Sequence, residues 1–196
     1  YETLYNTLKL FDYDVDKTDM KKWHGLNKYQ VLDKYLNKNN RYSEKHKINV
    51  YKTFEGNLQQ EYFFSDKISL MDEKMPQKFN YLRSRGIIIG LNTGYPRVIQ
   101  NEIMKKLHMD EFVNSFVSSE DVKLSRPFPY MIYNLMEKHD IKSSKQVIKV
   151  GDTTNDIWEG LNAGCLKSIG VLSGAGTKEE LEKAGANIVL NNVMEL

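Results

Sequence analysis

Two carboxylates, Asp152 and Asp156, stand four residues apart in "GDTTNDIWEGLNAG" (151–164), directly after the apolar run "VIKV". Oxygen donors at the end of a strand suit a hard divalent cation such as Mg²⁺, which takes one or two carboxylates and leaves other positions to water or phosphate oxygens. Two further stretches end in groups that handle phosphoryl oxygens. "IIIGLNTG" closes on Asn92, Thr93 and Gly94, and "FVSSEDV" leads into "SRPFP" with Arg126. Hydroxyl and backbone N–H groups hold such oxygens, and a planar guanidinium neutralises them. Together these residue types form a phosphoryl-transfer set, in which positioning and charge stabilisation supply most of the catalysis.

Each fragment alone has a plainer reading. Thr93 in "NTGYP" serves a turn, Arg126 before Pro127 serves as a surface ion pair or helix-start residue, Asp152 caps the following helix, and Asp156 favours its first turn. The order of the fragments and their shared place at strand ends favour the joint reading, because ligands of open parallel sheets sit at the carboxyl ends of the strands.

The elements that must position these groups follow from periodicity. From about residue 70 helix and strand alternate: "MPQKFNYLRSRG", "IIIGLNTG", "RVIQNEIMKKL", "FVNSFVSS", "PYMIYNLMEKH", "QVIKVGD", "DIWEGLNAG", "SIGVLSG", "KEELEKAG" and "NIVLNN". This texture predicts an α/β fold, a Rossmann-like parallel sheet covered on both faces, over residues 70–196. Residues 1–69 lack strand-like runs and read as a small helical unit. Its helices are an opening segment with apolar groups at Tyr1, Leu4, Tyr5 and Leu8, then "NKYQVLDKYL", then "YSEKHKINVYKTFEGNLQQEYFF", with the polar link "NKNNR" between the last two.

Composition narrows the function classes. At 196 residues and 40 % hydrophobic content the chain buries one sizeable core with room for a smaller second. Twenty-eight basic against 26 acidic residues give a net charge of +2, too little for the footprint of a nucleic-acid binder. Cys165 is the single cysteine, and no apolar run of membrane-spanning length occurs, so the reading is a protein of the reducing cytoplasm with no membrane partner. The chain begins "YETLYNTL", without an initiator Met and already in helical spacing, from which further sequence is expected before it.

The succession "LNTGY", "SRPFPYMI" and "VGDTTNDIWEGLNAG" resembles the haloacid dehalogenase superfamily, and within it the phosphonoacetaldehyde hydrolase (phosphonatase) and phosphonatase-like branch, over nearly the whole chain. Most of that superfamily carries Lys before the Pro of the third motif, whereas this branch carries Arg, as at Arg126. The resemblance implies that Thr93 binds the phosphoryl group, with Gly94 and Tyr95 beside it at the substrate. It implies that Arg126 orients nucleophile and phosphoryl group, that Asp152 ligates Mg²⁺ and that Asp156 supports the metal site. In the helical cap domain, "HGLNK" (24–28) resembles the motif whose Lys forms a Schiff base with an aldehyde, which designates Lys28; without the motif a lone Lys at a helix start reads as a solvated charge. The substrate so implied is a small phosphorylated or phosphonate compound, and the family implies homodimers through the cap, although the apolar cap residues serve equally as intradomain core.

Two departures stand out. The superfamily's nucleophilic Asp closes the first, central strand, and no DxAGT motif is present. Asp12 and Asp14 in "FDYDVDKT" have the DxDxV form but match a turn of the cap and lie too near Lys28, so the nucleophile is expected a dozen or so residues before Tyr1, together with the central strand whose lack would leave a gap in the sheet. The alternative is a protein that has lost its catalytic Asp. In the cap, Val31 replaces a His of the phosphonatase motif, and His24 offers an imidazole that titrates near neutrality. Three readings therefore stand: a Mg²⁺-dependent hydrolase of a 2-oxoalkyl phosphonate, a phosphomonoesterase of the same superfamily, and a non-catalytic phosphate-binding domain.

Overall fold

Side-chain caps and buried stripes set the helices. In the computed structural model, which describes residues 1–38, 43–63 and 68–196, the Asn27 carboxamide accepts from the backbone N–H groups of Tyr29 and Gln30 and starts α2 (Lys28–Leu36). Val31, Leu32, Tyr35 and Leu36 form its buried stripe. That stripe meets Leu4 and Leu8 of α1 (Glu2–Leu10) and Val50, Phe54 and Leu58 of α3 (Glu44–Phe63). These apolar residues of the helical unit form one buried cluster that also takes in Ile99, with Tyr95 and Ile103 packed against it. A 3₁₀ segment, Lys17–Trp23, which periodicity did not signal, is capped by Asp16 and buries Trp23 in the same cluster. Residues 39–41 of the link "NKNNR", and 42 and 64 at the ends of the third expected helix, fall outside the described residues.

Residues 75–190 alternate helix and strand as the sequence predicts: α4 (Met75–Ser84), β1 (Gly90–Thr93), α5 (Arg97–Lys106), β2 (Ser115–Ser118), α6 (Tyr130–Lys138), β3 (Ile148–Gly151), α7 (Thr154–Asn162), β4 (Lys167–Val171), α8 (Lys178–Lys183) and β5 (Ile188–Leu190). All strand pairs are parallel, with β1 beside β2 and β3 beside β4 beside β5.

The strands form two sheets among the described residues, because β1 and β3 share no backbone ladder, in line with the gap expected where the sheet lacks its central strand. Side chains link them instead: the Lys149 ammonium of β3 donates to the Asn92 carboxamide oxygen of β1 at 2.7 Å. The strand expected over "IIIGLNTG" is also shorter than its apolar run. Ile87 and Ile88 are exposed outside β1, and Ile89 pairs through its N–H with the Asn114 side chain. Strand pairing needs a neighbouring backbone, which hydrophobicity alone does not provide. Both sheets point their carboxyl ends toward the helical unit, so Thr93 and Asp152 come beside α2.

Candidate active site

A cavity of about 220 Å³ opens where the strand ends meet the helical unit, lined by Lys28, Thr93, Gly94, Tyr95, Arg126, Asp152 and Asp156 among others. Seven of the eight residues singled out from the sequence therefore come together. His24 does not line the cavity; its ring stands against Tyr1 at 4.5 Å between centroids, and burial depresses its pKa. Asp12 lies exposed in the turn after α1, with a left-handed φ of 58°, and Val31 is buried in the helical core.

Thr93 ends β1, and its hydroxyl oxygen accepts from the N–H of Tyr95 at 3.1 Å, so the turn reading holds alongside its place in the cavity. Gly94 is the point of closest approach: a Cβ there would lie 2.7 Å from the Leu26 carbonyl oxygen, and the Lys28 N–H donates to the Gly94 carbonyl at 3.4 Å. The second approach is at Gly25 (φ +75°), where a Cβ would run into the Thr153 hydroxyl, while the Asn155 amide donates to the His24 carbonyl at 2.7 Å.

Lys28 starts α2 and is buried, correcting the solvated-charge reading. Its Nζ donates to the Leu26 carbonyl at 3.2 Å and sits 4.1 Å from the Tyr1 ring centroid and 5.5 Å from that of Tyr95. Burial, aided by the positive charge of Arg126 and opposed by Asp156 and Asp152, brings its pKa down to about 7. A substantial share of the amine is then neutral and nucleophilic at neutral pH. Tyr95 is itself anchored, its hydroxyl 2.6 Å from that of Tyr62 on α3.

Arg126 is a buried cation rather than a surface one. Its Nη1 donates to Asp156 Oδ1 at 2.5 Å, and its Nε has no partner among the described residues. Asp156 also accepts from Lys149 at 2.9 Å through Oδ1, and from the Thr153 hydroxyl at 2.6 Å through Oδ2. Burial would raise its pKa, but Lys149 and Arg126 outweigh that and hold the carboxyl far below the usual carboxylate range. The cap of α7 is Thr153, in a capping box with Asp156, and not Asp152 as the plainer reading has it.

Asp152 instead faces the cavity, with Oδ2 accepting from the Ala175 N–H at 2.8 Å. Gly174 packs so close that a Cβ would overlap this carboxylate. Among the described residues no three His, Cys, Asp or Glu side chains gather into a group able to hold a metal ion by themselves. With both Asp156 oxygens taken by protein donors, the donor set fits a hard cation held by Asp152 and completed by oxygens of a bound phosphate and water, the manner in which Mg²⁺ binds. No helix among the described residues is long and apolar enough to cross a membrane.

Residues 1–171 match the family model of haloacid dehalogenase-like hydrolases. The chain belongs to that family. It is 39 % identical over 106 residues to a phosphonoacetaldehyde hydrolase of Bacillus cereus, covering 52 % of this chain and 40 % of that protein. It is 37 % identical over 139 residues to a phosphonoacetaldehyde hydrolase of Lysinibacillus sphaericus, covering 67 % of this chain and 49 % of that protein. The chain thus spans less than half the length of these curated relatives. In fold it is similar to a phosphonoacetaldehyde hydrolase-like protein from Oleispira antarctica, with a TM-score of 0.81 at 21 % identity, over 100 % of this chain and 82 % of that one.

Sequence reasoning passed over three contributors. Lys149 was a visible signal, a charge inside the apolar run "VIKV". Glu159 shares the buried face of α7 with Asp156 three residues earlier. Tyr62 carried no local signal, since its meeting with Tyr95 depends on how α3 lies over the β1–α5 turn.

Proposed function

We propose that this chain carries the substrate site of a hydrolase that cleaves the carbon–phosphorus bond of phosphonoacetaldehyde or a similar 2-oxoalkyl phosphonate. The observation that carries this reading is the Lys28 amine, buried between two tyrosine rings with its pKa near 7, in the same cavity as Thr93, Arg126 and Asp152. A phosphate-ester hydrolase has no need of a neutral amine there; an aldehyde substrate has. The 37–39 % identity to phosphonoacetaldehyde hydrolases supports the same substrate.

In this mechanism the Lys28 nitrogen adds to the aldehyde carbon and water leaves, forming an imine. The electron pair of the carbon–phosphorus bond moves toward the imine as the phosphoryl group passes to a carboxylate nucleophile. The resulting enamine takes up a proton, and water then releases acetaldehyde from Lys28 and phosphate from the nucleophile. Thr93 and the N–H groups of its turn hold phosphoryl oxygens, and Arg126 draws their charge. Asp152 would hold Mg²⁺, which supplies further charge neutralisation at the phosphoryl group. The two sequence units act as cap and core, with the Lys28 amine buried where they meet.

Treating the full-length protein with phosphonoacetaldehyde and borohydride tests the reading. A mass increase of one reduced two-carbon imine at Lys28 is expected, and an unmodified Lys28 overturns it. A phosphomonoesterase is the second reading, favoured by the apolar Val31 in the helical core. It predicts phosphate-ester turnover that survives Lys28→Ala.

A further inference from the structure

We propose that Lys149 is a positioning residue for phosphate: it serves as the counter-cation that lets Asp156 hold Arg126 in place without consuming the guanidinium's charge. This inference rests on the reading of Arg126 as the phosphate-binding cation. Lys149 does not line the cavity, yet its Nζ reaches three acceptors, Asn92 Oδ1 at 2.7 Å, Glu159 Oε2 at 2.8 Å and Asp156 Oδ1 at 2.9 Å. Asp156 Oδ1 is the same atom that takes Arg126 Nη1.

Charge accounting shows why this matters. Arg126 and Lys149 carry two positive charges, Asp156 and Glu159 two negative ones, and all four are buried or nearly so. A buried carboxylate pair facing Arg126 alone would leave the cluster with one net negative charge beside the place where a phosphate dianion must sit. At these separations and in a buried setting, one such charge is felt strongly. Lys149 cancels it. The local packing accommodates it: a Cβ on Gly160 of α7 would strike the Ser168 hydroxyl at 2.6 Å and the Lys149 Cβ at 2.7 Å, so the glycine leaves room for the lysine stem beneath the helix. The Asn92 amide completes the ring by donating to Glu159 Oε2 at 2.8 Å, which ties the cluster to the residue next to Thr93.

The inference predicts that affinity for phosphate follows the net charge of the cluster rather than the presence of Lys149 as such. Three variants set that charge: Lys149→Met makes it −1, Glu159→Gln makes it +1, and the double variant restores zero. Inorganic phosphate is the probe, its dissociation constant measured by calorimetry on the full-length protein, with melting temperature recorded beside it. Lys149→Met is expected to weaken phosphate about tenfold or more, the double variant to return within about threefold of wild type, and Glu159→Gln to bind at least as tightly as wild type. Where Lys149→Met does not fold, the order of Glu159→Gln, wild type and the double variant still decides. A double variant that binds as weakly as Lys149→Met, or a Glu159→Gln protein that loses phosphate, overturns the inference. Arg126→Ala is the control for the underlying reading: if it binds phosphate like wild type, the assignment of Arg126 fails, whereas loss in Arg126→Ala with wild-type affinity in Lys149→Met sinks the role of Lys149 alone.

Discussion

Gly94 and Leu26 meet backbone to backbone: a Cβ on residue 94 would stand 2.7 Å from the Leu26 carbonyl oxygen, two residues before Lys28. The helical unit and the α/β unit therefore close on each other at the point where the candidate amine meets the candidate phosphate turn. Gly94 has no left-handed φ that demands glycine, so the need for it lies in this contact alone.

Gly94→Ala should thus spare the fold and damage the site. The Leu26 carbonyl must move by several tenths of an ångström, and the Lys28 amine with it. A displacement of that kind in a catalytic group costs at least about tenfold in kcat/KM. Steady-state kinetics beside a thermal melt check this; unchanged kcat/KM would show that the approach has no bearing on alignment.

The Lys28 amine gives the site a pH dependence with a definite sign. Its pKa near 7 lies below the ordinary lysine value of 10.5, so the folded protein binds fewer protons here than the unfolded chain between those two values. Stability from this group accordingly rises with pH from about 7 to about 10.5, and Lys28→Met removes that slope. The rate of borohydride trapping should climb as pH rises through about 7. Replacing the neighbouring Arg126 by Met takes away a positive charge that disfavours the ammonium, which moves the trapping midpoint to higher pH. A midpoint near 10 in the wild-type protein contradicts the burial argument.

Much of the site was legible in the sequence because its groups sit at strand ends, and strand ends follow from short apolar runs broken by Gly, Asp or Thr. Thr93 ends β1 and Asp152 follows β3, at the strand ends that those runs indicate. Lys28 could not be placed by local rules, since its burial comes from Tyr1, Tyr95 and the Gly94 contact, all remote along the chain or dependent on packing. Asp152 and Thr153 show the limit of capping rules: both residue types cap helices, and only the backbone path decides that Thr153 does so while Asp152 turns to the cavity. A gap in the sheet was legible from the lack of the central strand and its motif, but that it falls between β1 and β3 was not, because pairing is a relation between segments.

Thr153→Ala separates helix support from chemistry on α7. The hydroxyl accepts from the Asp156 N–H and donates to its carboxylate, so removal costs a cap worth about 1 kcal/mol and loosens the carboxylate that orients Arg126. A melting-temperature drop of a few degrees is expected together with a raised KM for phosphate-bearing substrate. Thr153→Ser keeps both hydrogen bonds and should recover both quantities; failure of Ser to do so would assign the effect to the lost methyl group.

Asp152→Asn tests the metal assignment with little disturbance of structure. The plainer view, in which Asp152 only caps α7, predicts that Asn serves equally, but the cap is Thr153 and that view no longer accounts for Asp152. The hydrogen bond from the Ala175 N–H requires only an oxygen acceptor, which a carboxamide supplies, and the close packing of Gly174 is satisfied by a side chain of the same shape. What Asn removes is the negative charge that attracts a hard cation, and with Asp156 committed to Arg126, Lys149 and Thr153 no second open carboxylate of the site compensates. The melting temperature should stay within a few degrees of wild type while Mg²⁺ affinity falls by at least about tenfold. Calorimetric titration with Mg²⁺ in the presence of inorganic phosphate measures that fall directly. Wild-type Mg²⁺ affinity in Asp152→Asn would remove Asp152 from the metal site.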